Sequence, residues 1–88
     1  MKERTISVGS VCLSVAGHDK GKAFIVMKVD GEYAYIVNGK NRKKQNPKKK
    51  KIKHLKLLSV GENILTERLT NGEEVANETL RKATSRYN

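Results

Sequence analysis

The stretch Ala23-Phe24-Ile25-Val26-Met27-Lys28-Val29-Asp30-Gly31-Glu32-Tyr33-Ala34-Tyr35-Ile36-Val37-Asn38 decides the fold. Two runs rich in β-branched and aromatic residues flank Asp30-Gly31, and Asp-Gly between such runs is the strongest short-range signal for a β-hairpin. If Asp30 and Gly31 are the central pair of a type I′ turn, Val29 faces Glu32, Met27 faces Ala34 and Ile25 faces Ile36 on one side of the sheet. On the other side Lys28 meets Tyr33, Val26 meets Tyr35 and Phe24 meets Val37. Both faces are then apolar in part, which predicts a small curled sheet with something laid over its outside.

Working outward, a preceding strand is predicted from about Val8 to Val15. Its change of phase at Gly9-Ser10 marks either a bulge or a start at Ser10. Cys12 is out of phase with Val11, Leu13 and Val15, so it is expected on the opposite face as a semi-buried hydrophobe, not a reactive thiol. The hairpin strands run from Ala23 to Val29 and from Glu32 to Asn38, with a further turn at Asn38-Gly39. Pro47 blocks a helix or a central strand, so residues 40–50 read as an extended, mobile loop. A fourth strand follows, about Ile52 to Leu58. Beyond it the pattern turns helical. Glu62 to Leu69 places Ile64, Leu65 and Leu69 inward and is stopped by Asn71-Gly72. A last helix starts at Asn71, with Glu74 as capping-box partner, or at Asn77, and lines Leu80, Ala83 and Tyr87 on one face. Residues 1–5 read as a loose polar tip. The organisation is a β domain over 6–59, including a basic loop 39–51, and a helical extension over 60–88.

The chain has 88 residues, 36% of them apolar, with one cysteine and one proline. A chain of this size buries only about 60–65% of its unfolded surface, which argues against a two-domain substrate cleft or a dinucleotide-binding sheet. A lone Cys12 forms no intrachain disulfide. The longest strictly apolar run, Ala23 to Met27, is far short of the roughly 20 residues that cross a bilayer. Lys2 and Arg4 before an uncharged stretch imitate a signal peptide. The strand-like alternation of Ile6, Val8, Val11, Leu13 and Val15 argues against one, and the cytoplasm is the expected address.

Charge is the most informative property. The formal net charge is +10, from 19 Lys and Arg against nine Asp and Glu. Ten of the cations fall between Lys40 and Lys56 with no acid among them, while the rest of the chain holds nine of each sign. Such a block repels itself and needs solvent or a polyanion beside it. Nucleic acid is the expected polyanion, because no apolar helical face adjoins the block to enter lipid.

Catalysis is not expected. His18 and His54 lie at distant positions and Cys12 is the lone cysteine, so no spacing assembles a zinc site or a Cys/His nucleophile, and no cofactor is predicted. The segment Gly17-His18-Asp19-Lys20-Gly21-Lys22 is different. Its glycines permit a tight inter-strand turn, and Lys20 and Lys22 then project beside exposed amides, a combination suited to phosphate oxygens. Asp19 and Asp30 are read as turn residues. Among the aromatics, Tyr33 is the one considered for stacking on a base.

Val8-Gly9-Ser10-Val11-Cys12-Leu13, then Gly17 to Lys22, then the apolar run to Val29, resembles the KOW motif of ribosomal and transcription-elongation proteins. The continuation through Asn38-Gly39, the basic loop and Lys51-Ile52-Lys53-His54-Leu55 resembles the small bacterial KOW-domain relatives of the eukaryotic and archaeal "fourteen-e" large-subunit ribosomal protein. Many KOW motifs carry glycine where Phe24 stands, which favours the ribosomal branch over the elongation branch. The resemblance implies a small SH3-like β-barrel followed by one or two short helices, and an RNA-binding protein associated with ribosomal RNA or the ribosome. It places the contact surface at Lys20, Lys22, Lys40, Arg42, Lys43, Lys44, Lys48, Lys49, Lys50, Lys51, Lys53, His54 and Lys56. No small-molecule substrate or membrane is expected, and the free protein is expected to be a monomer. The alternative is a protein-interaction or nucleic-acid module of the elongation type.

Overall fold

A computed structural model describes residues 6–60 and 63–87, the side chains of Asn63 and Ile64 apart. The expected N-terminal tip, the start of the first helix at Glu62 and the inward Ile64 lie outside what is described. Five strands, β1 (Val11–Ser14), β2 (Ala23–Asp30), β3 (Tyr33–Val37), β4 (Lys48–Lys51) and β5 (Leu55–Ser59), precede two helices, α1 (Asn63–Thr70) and α2 (Asn77–Ser85). The sheet is antiparallel throughout, in the order β4-β3-β2-β1-β5. Among the described residues no helix is long and apolar enough to cross a membrane.

Connectivity forces the sheet to curl. In a flat sheet the outer strands of five would lie about 19 Å apart, at about 4.8 Å per strand. Here β4 and β5 are those outer strands, and only the 3₁₀ turn Ile52–His54 joins them. Three residues of 3₁₀ helix rise only about 6 Å. The Val15 amide also donates to the His54 carbonyl at 2.9 Å, tying the end of β1 to this turn.

The curled sheet has two apolar faces. Cys12, Phe24, Val26, Ala34, Ile36 and Leu55 form the inner cluster, with Ile6, Ile52 and Leu57 against it. Ile25 and Val37 face outward and are covered by Leu65, Val75 and Leu80, with Met27, Leu69 and Ala83 alongside. The expected cover over the outside is therefore the helical extension. At fully buried side chains such as Phe24 and Leu80, each burial is worth about 1.5–3 kcal/mol.

The hairpin forms where predicted, but its register differs. Asp30 pairs with Tyr33, Val29 with Ala34 and Lys28 with Tyr35, so the loop residues are Gly31 and Glu32. Gly31 has φ +60° and no described non-glycine residue has positive φ, so the turn has the sign pattern of type II′ rather than I′. A bulge at Met27 then shifts the ladder, pairing Val26 with Ile36 and Ile25 with Val37. The result places Ile36 and Ala34 with Phe24 and Val26, not with Ile25 and Met27. In β1 Cys12 takes the face opposite Val11 as expected, but it is fully buried rather than semi-buried. It sits in the inner cluster while Val15 is exposed, and burial pushes the Cys12 thiol up to about 11.

The phase change at Gly9-Ser10 is a turn, closed by the Ser10 amide on the Ser7 carbonyl at 3.0 Å. The predicted fourth strand divides into the 3₁₀ turn and β5, and β4 occupies the end of the expected loop. Pro47 directly precedes β4 at the sheet edge, where its missing N–H removes no ladder bond. Helix α1 ends as predicted. The Glu73 amide bonds to the Arg68 carbonyl and the Gly72 amide, at φ +74°, to Leu69, which is the Schellman pattern. Of the two expected starts for α2 the structure has Asn77.

Residues 38–47 are folded against α2 rather than extended. Asn38 Oδ1 accepts from the amides of Lys40 at 2.9 Å and Arg42 at 3.0 Å, and the Asn38 amide returns to the Arg42 carbonyl at 2.8 Å. Asn77 takes the Lys44 amide at 2.8 Å and donates to Gln45 Oε1 at 2.9 Å. Between these anchors Gly39, at φ +74°, lies so close to α2 that a Cβ there would meet the Asn77 carbonyl oxygen and lie 2.6 Å from the Arg81 amide nitrogen. Gly39→Ala is expected to destabilise the protein by about 2–4 kcal/mol, from strain at positive φ and displacement of α2. A urea titration checks this, and an unchanged midpoint contradicts the packing described.

Candidate nucleic-acid interface

Strand β4 consists of four lysines, and the alternation of a strand sends them to opposite faces. Lys48 and Lys50 pair with Ile36 and Ala34, residues of the inner cluster, and so point into the curl. There they meet Asp19, carried by the loop after β1. Lys50 Nζ lies 2.8 Å from Asp19 Oδ1 and donates to the Ala16 carbonyl at 2.6 Å, and Lys48 Nζ lies 3.0 Å from Oδ2. The Ser14 hydroxyl donates to Oδ1 at 2.9 Å. Only 8% of the Lys50 side chain and 10% of the Asp19 side chain is exposed. Burial alone would raise the Asp19 pKa. The hydrogen bonds from Lys50, Lys48 and Ser14, with the Lys50 charge, outweigh it and hold the carboxyl well below the usual carboxylate range. Asp19 thus clamps the glycine-bracketed loop to β4.

Lys49 and Lys51 take the outer face, opposite Tyr35 and Tyr33. Lys49 Nζ stands 4.5 Å from the centre of the Tyr33 ring and Lys28 Nζ 5.6 Å from that of Tyr35, both within cation–π range. Lys28 therefore accompanies Tyr35, not Tyr33 as the predicted register had it. One face of Tyr33 already carries the Lys49 ammonium, so a base stacking on that face would have to displace it.

The remaining candidates divide by environment. Lys20, Lys22, Lys40, Lys43, Lys53 and Lys56 are exposed, as is Lys49, while Arg42, Lys51 and His54 are half-buried. Lys44 is paired with Glu74 at 2.8 Å, which draws the Glu74 carboxyl down from its ordinary value. Among the described ion pairs none involves any of the seven exposed lysines. Lys50 lies inside the fold, and Lys48 shares its carboxylate.

Two of the exposed lysines, Lys22 and Lys40, line a cleft of about 500 Å³ together with Asn38, Asn41, Arg81, Thr84 and Ser85. Sequence reasoning did not single out Arg81. Balancing nine cations against nine acids outside 40–56 concealed a local excess, since from Asn77 to Arg86 the chain carries Arg81, Lys82 and Arg86 against Glu78 alone. Among the described residues no group of three or more His, Cys, Asp or Glu side chains is placed to hold a metal ion. No protein-family model matches the chain, and no curated protein matches it.

Proposed function

We propose that this chain is a non-enzymatic RNA-binding protein, built as an SH3-like barrel of the KOW kind and acting in the cytoplasm on ribosomal RNA or the ribosome. One observation carries the reading: seven of the candidate lysines are exposed and lack a carboxylate partner among the described residues. Exposed cations without described carboxylate partners on a folded platform match the charge of a phosphate backbone, and binding by counterion release follows from it. The pinning of 38–47 onto α2 lowers the ordering cost, because part of the basic segment is already folded before contact.

The contact set proposed is Lys20, Lys22, Lys40, Lys43, Lys49, Lys53 and Lys56, with Arg42, Lys51 and His54 at its margin. Lys48 and Lys50 support the platform from inside. Direct competition between structured RNA, duplex DNA of equal length and anionic lipid vesicles tests the proposal. Preference for RNA supports it. Preference for vesicles or DNA contradicts it, and retention of a protein partner at high salt after nuclease treatment favours the elongation-type interaction module instead.

A further inference from the structure

Three segments distant in sequence converge on the 500 Å³ cleft: Lys22 just before β2, the turn at Asn38–Asn41, and the Arg81–Ser85 face of α2. Its lining contributes three cations, Lys22, Lys40 and Arg81, and no described carboxylate. None of the three is engaged in a described ion pair. The placement is fixed by backbone contact, since Gly39 lies against the Asn77 carbonyl and the Arg81 amide. Arg81 and Ser85 stand one helical turn apart and so share a face. Asn41 Oδ1 is taken by Asn38 Nδ2 at 2.7 Å, which leaves the Asn41 amide hydrogens for a ligand.

We infer that this cleft binds a phosphate group of the RNA strand, with Arg81 supplying the planar donor pair and Lys22 and Lys40 the flanking ammonium charges. A guanidinium and two ammoniums lining one cleft are suited to a tetrahedral dianion or a phosphodiester, whose oxygens accept charge-assisted bonds in parallel. Among the described residues no aromatic side chain lines the cleft, which argues against a base as what it selects. The C-terminal helix is thereby a part of the binding surface as well as a cover over the sheet. The inference rests on the RNA-binding reading for the source of the phosphate, though not for the anion site itself.

The test compares Arg81→Gln with Lys82→Gln in the full chain. Both remove one positive charge from exposed positions of the same helix, but Lys82 does not line the cleft. Arg81→Gln should weaken binding of structured RNA about tenfold and reduce the slope of log K against log salt by about 0.7–0.9, while Lys82→Gln should change affinity less than about twofold. In parallel, the ¹⁵N-labelled wild-type protein is titrated with inorganic phosphate against chloride at matched ionic strength. Saturable shifts at Asn41, Arg81 and Ser85 that vanish in Arg81→Gln are expected. Equal RNA affinities for the two variants would overturn the cleft as an RNA contact while leaving RNA binding elsewhere intact. Phosphate shifts without any RNA binding would retain the anion site for a free phosphate and overturn the RNA reading. Absence of both overturns both.

Discussion

Asp19→Ala is expected to lower the stability of this protein by about 3 kcal/mol, the lower end for breaking a buried pair. The variant leaves the Lys50 ammonium inside the curl with the Ala16 carbonyl as its remaining described partner, and releases the loop that Asp19 ties to β4. Lys50→Met should cost less, because Asp19 retains Lys48 and the Ser14 hydroxyl. The double variant should lose less than the sum of the two. The effect also depends on pH. A carboxyl whose pKa is lower in the folded than in the unfolded state adds stability above its unfolded value, about 3.9, and loses it as pH falls through the folded value. Wild-type stability should therefore be unaffected by this group from pH 7 to about 5 and decline below about pH 4, and the gap to Asp19→Asn should narrow over that range. Urea midpoints across this pH series measure it. A midpoint for Asp19→Ala equal to wild type at pH 7 contradicts the clamp.

The second large effect is on RNA. Replacing Lys40, Lys43, Lys53 and Lys56 together with Gln removes four exposed cations without described carboxylate partners. Affinity for structured RNA should fall about 100-fold or more near physiological salt, and the salt slope should flatten by about 3. The urea midpoint should stay close to wild type, since surface charges of this kind contribute little to stability. Lys48→Gln with Lys50→Gln should behave in the opposite way, lowering stability while leaving the salt slope nearly unchanged. Substituting the whole run Lys48–Lys51 would mix these two roles, because alternate lysines of β4 serve the interior and the outer face. Full RNA affinity in the fourfold variant contradicts the proposed contact set.

What the sequence disclosed and what it hid have physical reasons. The hairpin was legible because β-branched runs around Asp30-Gly31 encode it locally, and the end of α1 because Asn71-Gly72 is a local stop. Its register was not, because the bulge at Met27 and the shift of the turn to Gly31-Glu32 depend on how both faces pack. Strand β4 was hidden for another reason. Four consecutive lysines carry no hydrophobic alternation, and the charge that lets two of them face inward, Asp19, lies about thirty residues away in a loop. The basic segment was legible as a cationic, largely exposed stretch from charge alone, whereas its attachment to α2 rests on Asn38, Gly39 and Asn77, residues that read locally as turn or capping signals. Arg81 was concealed by a charge balance taken over too long a window.

The central claim is that the exposed lysines bind RNA phosphates, and the salt dependence of wild-type affinity for a structured RNA tests it most directly. With about five phosphates neutralised, log K should fall with log salt at a slope of roughly −3 to −5. A slope near zero between 50 and 300 mM salt, or no measurable binding at the lower concentration, would contradict it.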